Sequence, residues 1–192
     1  MEVVSTVSKV HKEGQAKLDE FEEKVSAAIL EIERETSDQE LRTGLSRLFF
    51  SKAEKMQLKD GAMVVVLEVP VPFLKEFKEI QDAFSGSLEK KMPGASVVVF
   101  GARTILPKSY KYKRPIDRTQ TAVHEAWIND MLYPIEAVGK RTRYHVDGSK
   151  TIKILVDKKH IKDFEPRSKI LSEIYKQKTN KNLAFEFVSG EI

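Results

Sequence analysis

The sequence contains no cysteine, which excludes a disulfide framework, a thiolate nucleophile and a cysteine-ligated zinc, and makes a cytosolic or nuclear setting the expectation. It also lacks a membrane-length apolar stretch. The longest run without a polar residue, Ala62 to Leu67, falls far short of the roughly 20 residues a span needs. Met1 to Gln15 has no charged start followed by an apolar core, so no secretion signal is expected. Histidine is sparse and scattered, at His11, His124, His145 and His160. His124-Glu125 opens like a zinc-protease helix, but Ile128 stands where the second ligand is needed. Glycine is missing from Val69-Pro70-Val71-Pro72, so the tight phosphate approach of a dinucleotide fold or P-loop is unavailable there. A nucleophile elbow is lacking too, since Gly44-Leu45-Ser46 runs on into Arg47-Leu48. Acid pairs such as Glu22 and Glu23 read as a solvated helix face. The expectation is therefore no enzyme: no catalytic residues, no metal, no cofactor, no small-molecule substrate and no membrane partner.

What is there is charge, unevenly placed. The 192 residues carry a formal net charge of +4. Met1 to Glu40 holds five Lys or Arg against eleven Asp or Glu, a net of −6, which leaves +10 on Leu41 to Ile192. An acidic end precedes a basic body. With 41% apolar residues the chain has enough material for a core, and 1–192 is expected to be one domain, with residues 1–50 as a helical segment packed on it.

Between Gln15 and Glu35, Leu18, Phe21, Val25, Ile29 and Ile32 recur at steps of three and four, the period of an amphipathic helix. Asp19, Glu20, Glu22, Glu23, Glu31 and Glu33 occupy its other face. Ser37 and Glu40 have the spacing of a capping box for a short second helix through Leu48. Asp60-Gly61 is a turn signal, and Ala62 to Val69 reads as a strand buried on both faces. Phe73, Phe77, Ile80, Phe84 and Leu88 mark one face of a helix that ends at Met92-Pro93-Gly94, and Ser96 to Ala102 reads as a second strand. Strand, helix, strand predicts a right-handed βαβ unit with parallel strands.

Further on, Thr121 to Leu132 is expected to be a helix with Val123, Trp127 and Met131 inward. Val138 to Val156 is expected to be a hairpin about Asp147-Gly148-Ser149. A three-residue loop there pairs Tyr144 with Ile152, Thr142 with Ile154 and Lys140 with Val156, and leaves Arg141, Arg143, His145 and Lys153 on the opposite face. Pro166 suits the first turn of a last helix with Ile170, Ile174 and Tyr175 inward, and Leu183 to Val188 completes the chain as a strand. The fold class is thus α/β: a mixed sheet with a parallel βαβ unit and an antiparallel hairpin, flanked by helices and preceded by an N-terminal amphipathic helix.

Two basic clusters stand out. In the connector 103–118, Arg103, Lys108, Lys111, Lys113, Arg114 and Arg118 are opposed only by Asp117, with Tyr110 and Tyr112 interleaved. Such a segment repels itself and is expected to stay extended alone, while phosphates neutralise it with release of counterions. Tyrosine rings stack on unpaired bases. The hairpin adds Lys140, Arg141, Arg143, His145, Lys150 and Lys153. Together these fourteen positions are the candidate RNA-binding residues.

Several segments in fixed order resemble the eukaryote-specific family of ribosomal protein seven of the small subunit, which is unrelated to the bacterial protein of the same number. They are Val69-Pro-Val-Pro-Phe-Leu-Lys-Glu-Phe-Lys-Glu-Ile-Gln81, Ile105-Leu-Pro-Lys108, Lys113-Arg-Pro115, Thr121-Ala-Val-His-Glu-Ala126, Val138-Gly-Lys-Arg-Thr-Arg143, Asp147-Gly-Ser-Lys150 and Phe185-Glu-Phe187. The resemblance implies a structural constituent of the small ribosomal subunit, with ribosomal RNA and neighbouring ribosomal proteins as partners. It further implies roles in translation, subunit assembly and RNA processing, a cytoplasmic place in the ribosome and a nucleolar assembly stage. One departure is plain: only Ser109 to Tyr112 separate Lys108 from Lys113, where the family usually carries a longer basic loop. The rival readings are an RNA-binding assembly or regulatory factor outside the mature ribosome and, further off, a small α/β enzyme.

Overall fold

The computed structural model describes residues 9–10, 18–113 and 115–189. Residues 15–17 of the expected first helix, and Arg114, lie outside them. The chain divides into two compact units, Met1–Thr119 and Gln120–Ile192.

The first unit opens with α1 (Glu20–Glu35) and α2 (Gln39–Arg47). Val25, Ile29 and Ile32 of α1 are buried, and Leu18 and Phe21 pack against the same core. Glu22, expected on the solvated face, is buried instead. It forms a capping box with Asp19, whose N–H donates to Glu22 Oε2 at 2.9 Å. The box expected at Ser37 and Glu40 does not form: α2 starts one residue later, on Asp38, without a side-chain cap. The acidic face of α1 is partly neutralised within the unit. Lys91 reaches Glu31 at 3.2 Å and Glu35 at 2.6 Å, and Lys9 reaches Glu33 at 2.8 Å.

Three strands follow: β1 (Lys52–Gln57), β2 (Met63–Pro70) and β3 (Ala95–Ala102), with α3 (Leu74–Lys91) between the last two. β2 and β3 are parallel, as the βαβ pattern requires, and β1 is antiparallel to β2. β1 was not legible in the sequence, because Lys52-Ala-Glu-Lys-Met-Gln57 buries only Ala53 fully and carries its charges on an edge. Val64 to Leu67 are buried on both faces of the sheet. Phe50, Phe77 and Phe84 meet at 5.5 to 5.9 Å between ring centroids and form the aromatic centre of this core.

The second unit repeats the plan. α4 (Gln120–Leu132) precedes the antiparallel pair β4 (Ala137–Tyr144) and β5 (Lys150–Asp157). α5 (Ile161–Thr179) then crosses over to β6 (Asn182–Val188), parallel to β5. Each unit thus holds a three-stranded mixed sheet with its first strand antiparallel and its third parallel to the middle one. The expected βαβ unit and hairpin are both present, but on separate sheets, because β5, α5 and β6 make a second βαβ unit that closes its own core. No repeat shows in the sequence because the two units share topology rather than side chains.

Two local expectations are corrected. α5 begins at Ile161, five residues before Pro166, so the proline lies inside the helix. The hydrogen bond it forgoes is offset by Phe164, which the extra turn buries against Phe185 at 4.9 Å and Phe187 at 6.3 Å. Inward positions of α5 are Leu171, Ile174 and Tyr175, with Ile170 only half-buried. In α4, Val123, Ile128, Met131 and Leu132 are buried, whereas Trp127 is half-buried.

Candidate nucleic-acid interface

The hairpin has the expected faces in a different register. β4 and β5 pair Tyr144 with Lys150, Thr142 with Ile152 and Lys140 with Ile154. His145 N–H donates to Ser149 O at 2.9 Å and Gly148 N–H to His145 O at 3.0 Å, so the three-residue loop is Val146-Asp147-Gly148. Its centre sits one residue earlier than expected, which moves every pair by two and keeps each side chain on its face. Gly148 decides this. Its φ of +79° belongs to the left-handed third position of such a loop, which glycine takes without steric cost. Asp147 accepts from Ser149 Oγ at 2.9 Å and Ser149 N at 3.2 Å, and these bonds hold its carboxyl below the usual range.

Arg141 stands opposite Lys153, and Arg143 opposite Thr151. Both arginines are exposed, and no carboxylate among the described residues pairs with either. The other cations of the hairpin are engaged. Lys140 pairs with Glu125 of α4, Lys153 with Glu186 of β6 at 3.3 Å, and Lys150 lies 5.0 Å over the ring of Tyr144. His145 Nε2 is 2.9 Å from Thr151 Oγ1. Tyr144, expected on the covered face, is 68% exposed. β6 starts at Asn182, opposite Thr151, so the hairpin tip projects beyond the third strand and leaves the ring open. The tip therefore carries an exposed aromatic ring with a cation upon it, a platform for stacking.

The described residues of the connector 103–118 are folded rather than extended. Leu106 N–H donates to Arg118 O at 3.1 Å and closes the loop, Pro107 to Tyr110 form a turn, and Ile116–Arg118 form one turn of 3-10 helix. Backbone bonds of this kind outweigh the mutual repulsion of side chains that point into water. Lys108, Lys111, Lys113 and Arg118 are exposed, and the rings of Tyr110 and Tyr112 meet edge to face at 5.9 Å. Tyr112 is 69% and Ile116 85% exposed. Arg103 is half-buried, and together with Arg118 it lines a crevice of about 530 Å³ that includes Lys52, Glu68, Pro70 and Pro72.

Lys52 and Glu68 were not singled out from the sequence: Lys52 lies on β1, which carries little strand signal, and the signal for Glu68 was that it is the one acid inside the apolar run of β2. Also missed was the exposed series Lys158, Lys159, Lys162, Arg167 and Lys169 at the start of α5; the run Lys158-Lys159-His160 was its signal. His124 plays no part in this surface. It is buried and stacked on Trp127 at 5.5 Å, and its Nδ1 accepts from Lys181 Nζ at 3.1 Å. Burial first, then the charges of Lys181 and Lys140, hold its pKa below the ordinary value, so it is a neutral core residue. Among the described residues no group of three potential ligands gathers for a metal, and no helix is long and apolar enough to cross a membrane.

Exposed guanidinium and ammonium groups on a rigid ladder and a closed loop, with aromatic rings among them, have the chemistry to attract anions. The family described as Ribosomal protein S7e matches residues 9–187. A small ribosomal subunit protein eS7 from Avicennia marina is 37% identical over 186 residues, covering 95% of this chain and 97% of its own. The eS7z protein of Arabidopsis thaliana is 36% identical, with coverages of 95% and 96%. The eS7 protein of Caenorhabditis elegans is 34% identical over 189 residues, with coverages of 94% and 95%.

Proposed function

Since this chain belongs to the ribosomal protein S7e family, we propose that it is a structural constituent of the small ribosomal subunit, held there by ribosomal RNA and neighbouring ribosomal proteins. The observation that carries the reading is the match over residues 9–187, nearly the whole chain. The role is positioning, and the chain is no enzyme. The whole of 1–192 acts as one ribosomal-protein domain. It binds in cytoplasmic ribosomes after an assembly stage in the nucleolus, and supports subunit assembly, RNA processing and translation.

Within that role we assign RNA contact to the connector residues Arg103, Lys108, Tyr110, Lys111, Tyr112, Lys113, Arg114 and Arg118, and to the hairpin residues Lys140, Arg141, Arg143, His145, Lys150 and Lys153. Arg141 and Arg143 lead the hairpin set because neither has a carboxylate partner among the described residues. Cations on a sheet face reach backbone phosphates before base edges, so folded RNA is recognised by shape.

The test is sedimentation of tagged protein from lysate through a sucrose gradient in high salt. One copy per small subunit, persisting into polysomes, is the expected result. Recovery only in the free pool or with nuclear precursor particles overturns the structural role in favour of an assembly factor.

A further inference from the structure

We propose that the crevice at the carboxyl ends of β2 and β3 receives one unpaired nucleotide of the RNA, its phosphate on Arg103 and Arg118 and its base against Pro70-Val71-Pro72. The inference rests on the RNA-binding reading above and deepens it.

Its place in the fold comes first. Pro70 and Ala102, the last residues of β2 and β3, are register partners, and the crevice opens just beyond them. Ligand sites of parallel α/β units lie outside the carboxyl ends of the strands. The glycine-free turn rules out a pyrophosphate cradle on backbone amides, so anion binding at this end has to come from side chains. A volume of about 530 Å³ is that of a small-molecule pocket, room enough for one nucleotide.

The cations are placed by backbone. Arg103 packs against Gly101, with Nη1 3.5 Å from Gly101 O. A Cβ built on Gly101 would stand 2.5 Å from Arg103 Nη1 and 2.9 Å from Cζ, so only glycine lets the guanidinium occupy that position. Arg118, fifteen residues on, is returned to the same crevice by the Leu106 to Arg118 bond that closes the connector. Lys52 of β1 adds a third charge, tied to Glu54. Two guanidinium groups beside a pocket suit a phosphate, and their planes stack on bases.

The remaining wall carries one acid and is otherwise uncharged. Val71 is 44% exposed between two prolines, a rigid apolar surface for one face of a base. Among the described residues the acid lining the crevice is Glu68, opposite Lys52 in the ladder. A carboxylate accepts from base N–H donors, and guanine presents two adjacent donors on its Watson–Crick edge, so guanine is the preferred base.

The experiment is fluorescence anisotropy of the full chain with two RNA hairpins that differ only by one bulged guanosine. The bulged hairpin is expected to bind about fivefold tighter or more, the low end of what one stacked base contributes. Gly101→Ala keeps every charge but displaces Arg103, so it should abolish that preference while leaving affinity for the plain hairpin in place. Arg103→Gln should lower the ratio as well, and it carries the test if the alanine variant fails to fold. Equal affinity of the natural chain for both hairpins overturns the inference and leaves RNA binding standing. A preference that survives both substitutions also overturns it, because the bulge then sits elsewhere. Failure to bind either hairpin or total small-subunit RNA removes the RNA-binding reading itself.

Discussion

Arg141 and Lys153 face each other across the β4–β5 ladder, two cations at one register position, and among the described residues the carboxylate that answers them is Glu186, 3.3 Å from Lys153 Nζ. Like charges directly opposite destabilise a sheet. On the RNA-binding reading proposed above, the same two cations attract a polyanion. Arg141→Glu should therefore raise the stability of the isolated protein by about 0.2 to 1 kcal/mol, through a new cross-strand ion pair, while weakening RNA binding. Urea unfolding and RNA titration on the same preparation check both halves. A variant that is less stable, or that binds RNA as before, contradicts this account of the hairpin.

Removing both arginines that lack a carboxylate partner separates RNA binding from folding. Arg141→Ala with Arg143→Ala should leave the unfolding midpoint nearly unchanged. The slope of log affinity against log salt should fall by roughly 0.7 to 0.9 for each phosphate no longer neutralised. An unchanged slope would remove the hairpin from the RNA interface.

The core of the first unit depends on three rings. Phe77 is fully buried and touches Phe50 and Phe84 edge to face, at 5.9 and 5.5 Å. Phe77→Ala should cost roughly 3 to 5 kcal/mol, read as a drop in the denaturation midpoint. A loss under about 1 kcal/mol, the scale of a surface change, would mean that the site collapses around the gap.

His124 gives the second unit a pH dependence. Its folded pKa is depressed below the ordinary value, by burial first and by Lys181 and Lys140 next. Between the folded and unfolded pKa values the unfolded chain binds the extra proton, so stability rises with pH there. The contribution is full above about pH 6.5, the unfolded value, and is lost progressively as pH falls below it. His124→Phe should flatten this part of the stability curve measured by denaturant titration from pH 5 to 8. An unchanged slope assigns the dependence to other groups.

The hairpin loop is open to a backbone test. Gly148 holds φ +79°, so Gly148→Ala should destabilise by about 1 to 2 kcal/mol, the cost of a left-handed L-residue. Amide exchange at Arg143 and Thr151 should quicken in parallel. Protection as slow as in the natural chain would place the turn elsewhere.

Elements that repeat their pattern many times over can be read without any tertiary information. Leu74–Lys91 was legible because Phe77, Ile80, Phe84 and Leu88 hold a helical period, and β2 and β3 because continuous β-branched runs have no other stable use. The parallel pairing followed from the handed crossover. Chemistry was legible as a list of cations and as segments in family order. Tertiary structure alone decided the rest. β1 is a strand because β2 offers it an edge, although its own residues carry little apolar signal. The register of β4 and β5 turns on one dihedral at Gly148, which composition does not encode. Whether a cation is engaged depends on neighbours distant in sequence: Lys140 meets Glu125, Lys153 meets Glu186, and Arg141 stands opposite another cation. Local periodicity fixes which face a side chain takes, whereas charge pairing and crevices arise from residues that only folding brings together.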